Sequence, residues 1–161
     1  MKTLYMVRHA KSSWKHDVQD HSRPLKERGK NDCKLMTESL KDTIKPPQRI
    51  ISSDANRALE TATYFKEAFN VPDKNFISNH ILYDFGGQSV MTLIKSLDNS
   101  LKRVMIVGHN HAFTSVANML GDVYIENVPT CGFVMLKFDV DSWNEVSVGT
   151  TIKTLFPRDL K

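Results

Sequence analysis

Apolar positions fall into two kinds of run that alternate along most of the chain. Thr3-Leu4-Tyr5-Met6-Val7 is almost uninterrupted, the pattern of a strand covered on both faces. From about Leu25 to Ile44 the pattern changes. Cys33, Met36, Leu40 and Ile44 recur at three- and four-residue steps among Lys, Asp and Glu, which predicts one amphipathic helix ended by Pro46-Pro47. Arg49-Ile50-Ile51-Ser52 is a second short strand, and Ala58, Ala62, Phe65 and Phe69 mark a helix face that stops near Pro72.

Asn75 to Ser78 reads as a weaker third strand, and Val90, Leu93, Ile94, Leu97 and Leu101 as another helical stripe. Val104-Met105-Ile106-Val107 is the clearest buried strand. It runs through Gly108-His109-Asn110 into a helix with Phe113, Val116, Ala117 and Leu120 inside, and the stretch from about Phe133 to Ile152 predicts a hairpin around Asp141-Ser142. Strand alternating with helix implies an α/β domain: a mostly parallel sheet with helices on both faces.

A length of 161 residues suits one domain, spanning 1–161, and the balance of 40% hydrophobic to 25% charged residues is that of a globular chain. The surplus of 22 Lys and Arg over 18 Asp and Glu favours anionic ligands but is too small to coat nucleic acid. Met1 to Val7 is too short for a signal-peptide core and no run reaches the length of a membrane span, so a cytoplasmic protein with no membrane partner is expected. Two cysteines, Cys33 and Cys131, with no Cys-x-x-Cys pair, read as buried thiols. Oligomeric state leaves no mark in the sequence.

In open α/β sheets ligands gather beyond the carboxyl ends of the strands. Arg8-His9-Ala10 follows the first strand, Ser52-Ser53-Asp54 with Arg57 the second, and Gly108-His109-Asn110 the fourth. Two arginines and two histidines therefore converge on one edge. Guanidinium groups match phosphate oxygens, a neutral imidazole can attack phosphorus, and a second imidazole can stabilise charge on the phosphoryl group. Such an inventory fits a phosphohistidine intermediate, with no metal and no cofactor.

The motifs then become specific. Leu4-Tyr5-Met6-Val7-Arg8-His9-Ala10-Lys11-Ser12-Ser13-Trp14, Arg23-Pro24-Leu25, Glu27-Arg28-Gly29, Ser52-Ser53-Asp54-Ala55-Asn56-Arg57-Ala58 with Thr61-Ala62, and Val107-Gly108-His109-Asn110 together resemble the histidine phosphatase superfamily, in order and over most of the chain. The small SixA-type phosphohistidine phosphatases are the branch most similar. The resemblance implies a phosphoglycerate mutase-like three-layer α/β/α fold, His9 as nucleophile, Arg8, Arg57 and His109 around the phosphate, and Arg23 as a further phosphate ligand. Asn110 is read either as a donor to the anion or as a helix cap.

Two positions break the family pattern: Asp54 and His111 stand where prolines commonly follow. Asp54 places negative charge near the pocket, and His111 reads as an exposed side chain at a helix start. The nearest carboxylate for leaving-group protonation is Asp84, in Leu82-Tyr83-Asp84-Phe85, without a supporting motif. An imidazole leaving group needs a proton less than an alkoxide does, so the expected substrate is phosphohistidine on a protein. A small-molecule phosphomonoesterase or mutase, and a non-catalytic phosphoprotein-binding module, are the alternatives.

Other phosphate chemistries fail on their motifs. Asp139-Val140-Asp141 is followed by Trp143 and falls in a hairpin turn, Cys131 lacks the arginine a cysteine phosphatase requires, and Gly29-Lys30-Asn31 is no Walker loop. His16, Asp17, Asp20 and His21 contain metal-ligand types but read as a solvated loop, and His80 as a structural residue.

Overall fold

The computed structural model describes residues 1–161. One six-stranded sheet carries strands β1 (Lys2–Arg8), β2 (Arg49–Ser52), β3 (Phe76–Ser78), β4 (Arg103–Gly108), β5 (Phe133–Phe138) and β6 (Thr150–Leu155), in the order β3-β2-β4-β1-β5-β6. The first four run parallel and β5 runs antiparallel to both of its neighbours. Helices α1 (Glu27–Leu40) and α2 (Asn56–Ala68) cover one face, and α3 (Gln88–Lys95) and α4 (Ala112–Leu120) the other.

Alternation of side chains explains the unbroken apolar runs. In β1, Leu4 and Met6 join the core beneath α3 and α4 while Tyr5 and Val7 join the one beneath α1 and α2; in β4, Val104 and Ile106 divide from Met105 and Val107 in the same way. Edge strand β6 has only one side to bury, and its exposure alternates residue by residue. No helix is long and apolar enough to cross a membrane.

Two helices are shorter than the apolar spacing predicts. α1 ends at Leu40 rather than Ile44, and α3 ends at Lys95, leaving Leu97 and Leu101 buried in the following turn. Asp98 accepts the Ser100 amide there, and the Trp143 amide donates to Asn99 Oδ1 at 2.8 Å, so side chains of the turn take the place of helical bonds. The tail hairpin forms, with Asp139 and Asp141 in its long connection. Cys33 and Cys131 are buried with their sulfurs 3.9 Å apart and unlinked.

Candidate active site

Parallel register brings the catalytic candidates together. Arg8 lies opposite Gly108, and the His9 amide donates to the Gly108 carbonyl at 3.0 Å, so His9 and His109 leave adjacent strands side by side with ring centroids 5.3 Å apart. From α2, the Thr61 hydroxyl accepts the Ala10 amide at 2.9 Å while donating to the Arg57 carbonyl, tying the turn after His9 to the helix that carries Arg57. Gly29 of α1 sits against the same turn: a Cβ there would stand 2.2 Å from the Lys11 carbonyl oxygen.

His9 is 7% exposed. Its Nδ1–H donates to the Ala10 carbonyl at 2.8 Å, which leaves Nε2 unprotonated, its lone pair accepting from Arg57 Nε–H at 3.4 Å. Burial lowers its pKa to about 3; the Ala10 bond opposes this shift, and His109, Arg57 and Arg8 add to it. His109 is fully buried, with Nε2 2.8 Å from Ser53 Oγ and Nδ1 lacking a partner. Its pKa also falls to about 3, by burial and then by the charge of Arg57. The rings of Tyr83 and Phe85 pack over it at 5.3 and 5.1 Å.

The cavity in front of His9 has a volume of about 230 Å³, and Arg8, Arg57, Arg23 and Lys11 bring four cations to its wall. Arg8 donates to the Val128 carbonyl at 3.0 Å and has a buried Nε with no partner; burial, and then the charge of Arg57, lower its pKa. Arg57, 2% exposed, is held by Asp20 through the backbone carbonyl at 2.7 Å and the carboxylate at 3.0 Å. Arg23 donates to Ser12 at 2.7 Å and Asp20 at 3.2 Å and lies over the Trp14 ring at 3.5 Å. These side chains can surround a tetrahedral dianion in the cavity that His9 also lines.

Asp20, which the sequence places only in a solvated loop, belongs to the site. Its carboxylate also accepts the Tyr83 hydroxyl at 2.6 Å. Burial acts to raise its pKa, but the bonds from Tyr83, Arg57 and Arg23 outweigh it and bring the value down to about 2. Its partners come from remote segments, so no local spacing reveals the role. His16 and Asp17 stay exposed, and His21 turns to Asp54 at 3.0 Å, so the four residues of that loop do not form one cluster.

Asn110 lines the cavity, yet its side chain is committed: Oδ1 accepts the Thr114 amide and hydroxyl of α4, and Nδ2 donates to Asn127 at 2.8 Å. Asp84, the candidate acid, caps a helix in the fold. Its carboxylate accepts the amides of Gly86, Gly87 and Val90 at 3.0–3.1 Å, capping α3 where Gly87 takes a φ of 113°. Burial would raise its pKa, but these backbone bonds lower it. His80, expected to be structural, is an exposed side chain bonded to Asp54, whose own carboxylate is turned to the two histidines. His111 is exposed at the start of α4, as its position suggests.

A larger cavity of about 490 Å³ lies by the amino-terminal ends of β1 and β4, lined by Thr3, Tyr5, Lys45 and Arg103 among others. It contains no nucleophile paired with a phosphate clamp, so size does not locate the chemistry.

The sequence model of the histidine phosphatase superfamily (branch 1) matches residues 4–75. An uncharacterized chloroplast protein of Arabidopsis thaliana is 30% identical over 153 residues, covering 89% of this chain and 70% of the relative. Among solved structures, the protein histidine phosphatase SixA complexed with tungstate superposes with a TM-score of 0.83 at 20% identity, covering 99% of both chains. A mycobacterial glucosyl-3-phosphoglycerate phosphatase reaches 0.70 at 14% identity, covering 95% of this chain and 98% of its own.

Proposed function

Because the chain belongs to the histidine phosphatase superfamily, we propose that it is a metal-independent phosphatase working through phospho-His9, with phosphohistidine on a partner protein as its substrate. The observation that carries this reading is the state of His9: Nδ1–H anchored on Ala10, Nε2 unprotonated against the buried Arg57 guanidinium, and Arg8 and Arg23 lining the same cavity. Nε2 attacks phosphorus in line, the bond to the leaving group breaks, and the leaving group departs with the electron pair. Arg8, Arg57 and Arg23 balance the charge of the phosphoryl oxygens as it spreads in the transition state. His109 adds a donor once the dianion brings a proton onto its ring. Water then attacks phospho-His9, releasing inorganic phosphate and restoring the neutral imidazole.

The missing acid supports the substrate class. Asp84 caps a helix, and Asp20 is held ionised by the arginines, so neither supplies a proton to an alkoxide. A departing imidazole is a far weaker base and can take its proton from solvent. Exposed Trp14 and Phe85 on the cavity wall provide apolar rims against which a protein surface can rest. The fold likeness to a glucosyl-3-phosphoglycerate phosphatase keeps small esters as the second reading.

The test compares turnover, in the presence of chelator, of a phosphohistidine protein with that of small phosphate monoesters. Preference for the protein with acid-labile label on His9 is expected. Preference for esters overturns the substrate class. His9→Ala separates enzyme from binder: it should lose at least about 10³-fold in turnover and still bind tungstate. Turnover that survives His9→Ala removes the phosphohistidine mechanism altogether.

A further inference from the structure

Asp54, which replaces a common proline, is met in the fold by two histidines from other segments. Its carboxylate accepts His21 Nε2–H at 3.0 Å and His80 Nδ1–H at 2.9 Å, and one donor atom from each of the three lies within 4.8 Å of the others. His21 comes from the turn Asp20–Ser22, Asp54 from the β2–α2 connection and His80 from the turn His80–Leu82. The Tyr83 ring stands behind them, 5.0 Å from the His21 ring and 5.5 Å from that of His80. None of the three lines the phosphate cavity.

Ion pairing explains this convergence poorly. The His80 and His21 side chains are 72% and 39% exposed, and such surface pairs contribute little to stability. Two imidazoles and one carboxylate, by contrast, are a donor set for a borderline-soft divalent cation, zinc above all. Tetrahedral zinc, with bonds of about 2.0–2.2 Å, holds neighbouring donor atoms roughly 3.4 Å apart. The two hydrogen-bonded pairs are already within a few tenths of an ångström of that spacing.

We infer that His21, Asp54 and His80 form a divalent-cation site of the zinc type, with the remaining position open to water. Each imidazole offers the nitrogen that now faces Asp54 and carries its proton on the other ring nitrogen, toward solvent. Asp54 supplies the one negative charge. The cation takes no part in phosphoryl transfer. His21 follows Asp20, whose carboxylate holds Arg57 and Arg23, so metal on His21 fastens the turn that shapes the phosphate cavity. The site stands whatever the substrate proves to be.

The full chain, stripped with chelator and dialysed, is titrated with Zn²⁺ by calorimetry and with Co²⁺ by visible absorption. One equivalent should bind, with Co²⁺ giving the intense bands of a four-coordinate site. His80→Gln and Asp54→Asn should each weaken binding at least about 100-fold, since losing a ligand costs no less than losing an outer-shell partner. His16→Gln and His111→Gln should leave it unchanged. His80→Gln alters an exposed side chain, and its melting temperature without metal verifies the fold. No saturable uptake, or uptake indifferent to both His80→Gln and Asp54→Asn, overturns the site and identifies the cluster as hydrogen-bonded only.

Discussion

Two histidines held neutral in the folded protein make its stability fall on the acid side. Unfolded, His9 and His109 take up protons near pH 6.5; folded, each refuses one until about pH 3. Between these values the unfolded chain binds more protons, so stability rises with pH and drops as the solution is acidified. The slope is about 1.4 kcal/mol per pH unit for each group. From pH 6.5 to 5 each imidazole therefore costs about 2 kcal/mol and the pair about 4 kcal/mol, with no discount for solvent because both are almost fully buried. Asp20 has the same sign in a lower window: its lowered pKa adds stability above about pH 4 that is lost as the pH falls toward 2. Urea denaturation at pH 7 and pH 5, at fixed ionic strength, reads the effect. With a urea slope of about 2 kcal/mol per molar, the wild-type midpoint should fall by about 2 M, and that of a His9→Gln, His109→Gln double variant by much less. Parallel losses in the two proteins would refute the assignment of the acid sensitivity to the buried pair.

Arg57→Lys keeps the charge but loses the fork that reaches both Asp20 and the cavity, and should raise KM for a phosphorylated substrate about 10- to 100-fold, checked by steady-state kinetics. Gly29→Ala drives a methyl group into the Lys11 carbonyl and should cost about 1–3 kcal/mol, a drop of several degrees in Tm by calorimetry. Asp84→Asn should lower stability by about 1 kcal/mol in denaturant titration and leave turnover near wild type; a collapse of ester hydrolysis would return Asp84 to the role of acid.

Strands were the most legible part of this sequence. β1 and β4 are buried on both faces, so every residue between Leu4 and Val7 and between Val104 and Val107 registers as apolar, and the polar residues that follow them stand out as the site. Helix ends were harder to read, because Ile44, Leu97 and Leu101 continue the helical spacing while packing from turns, and spacing records burial, not backbone bonds. Arg8, His9, Arg57 and His109 were legible from their places at strand ends and in the first turn of α2. Asp20 was not, because Arg57, Arg23 and Tyr83 give it meaning only once the chain has folded. Asp84 shows the converse: the carboxylate that the sequence offers as an acid caps a helix in space.

The His9 amide continues the β1–β4 ladder on the Gly108 carbonyl, so the two candidate imidazoles belong to neighbouring rungs supplied by opposite halves of the polypeptide. Docking those central strands closes a very long loop, a step that pays its entropy late and proceeds slowly beside local helix formation. Catalysis regained after dilution from denaturant is therefore a clock for that single event. Helical dichroism can recover ahead of it without any molecule yet able to turn over substrate.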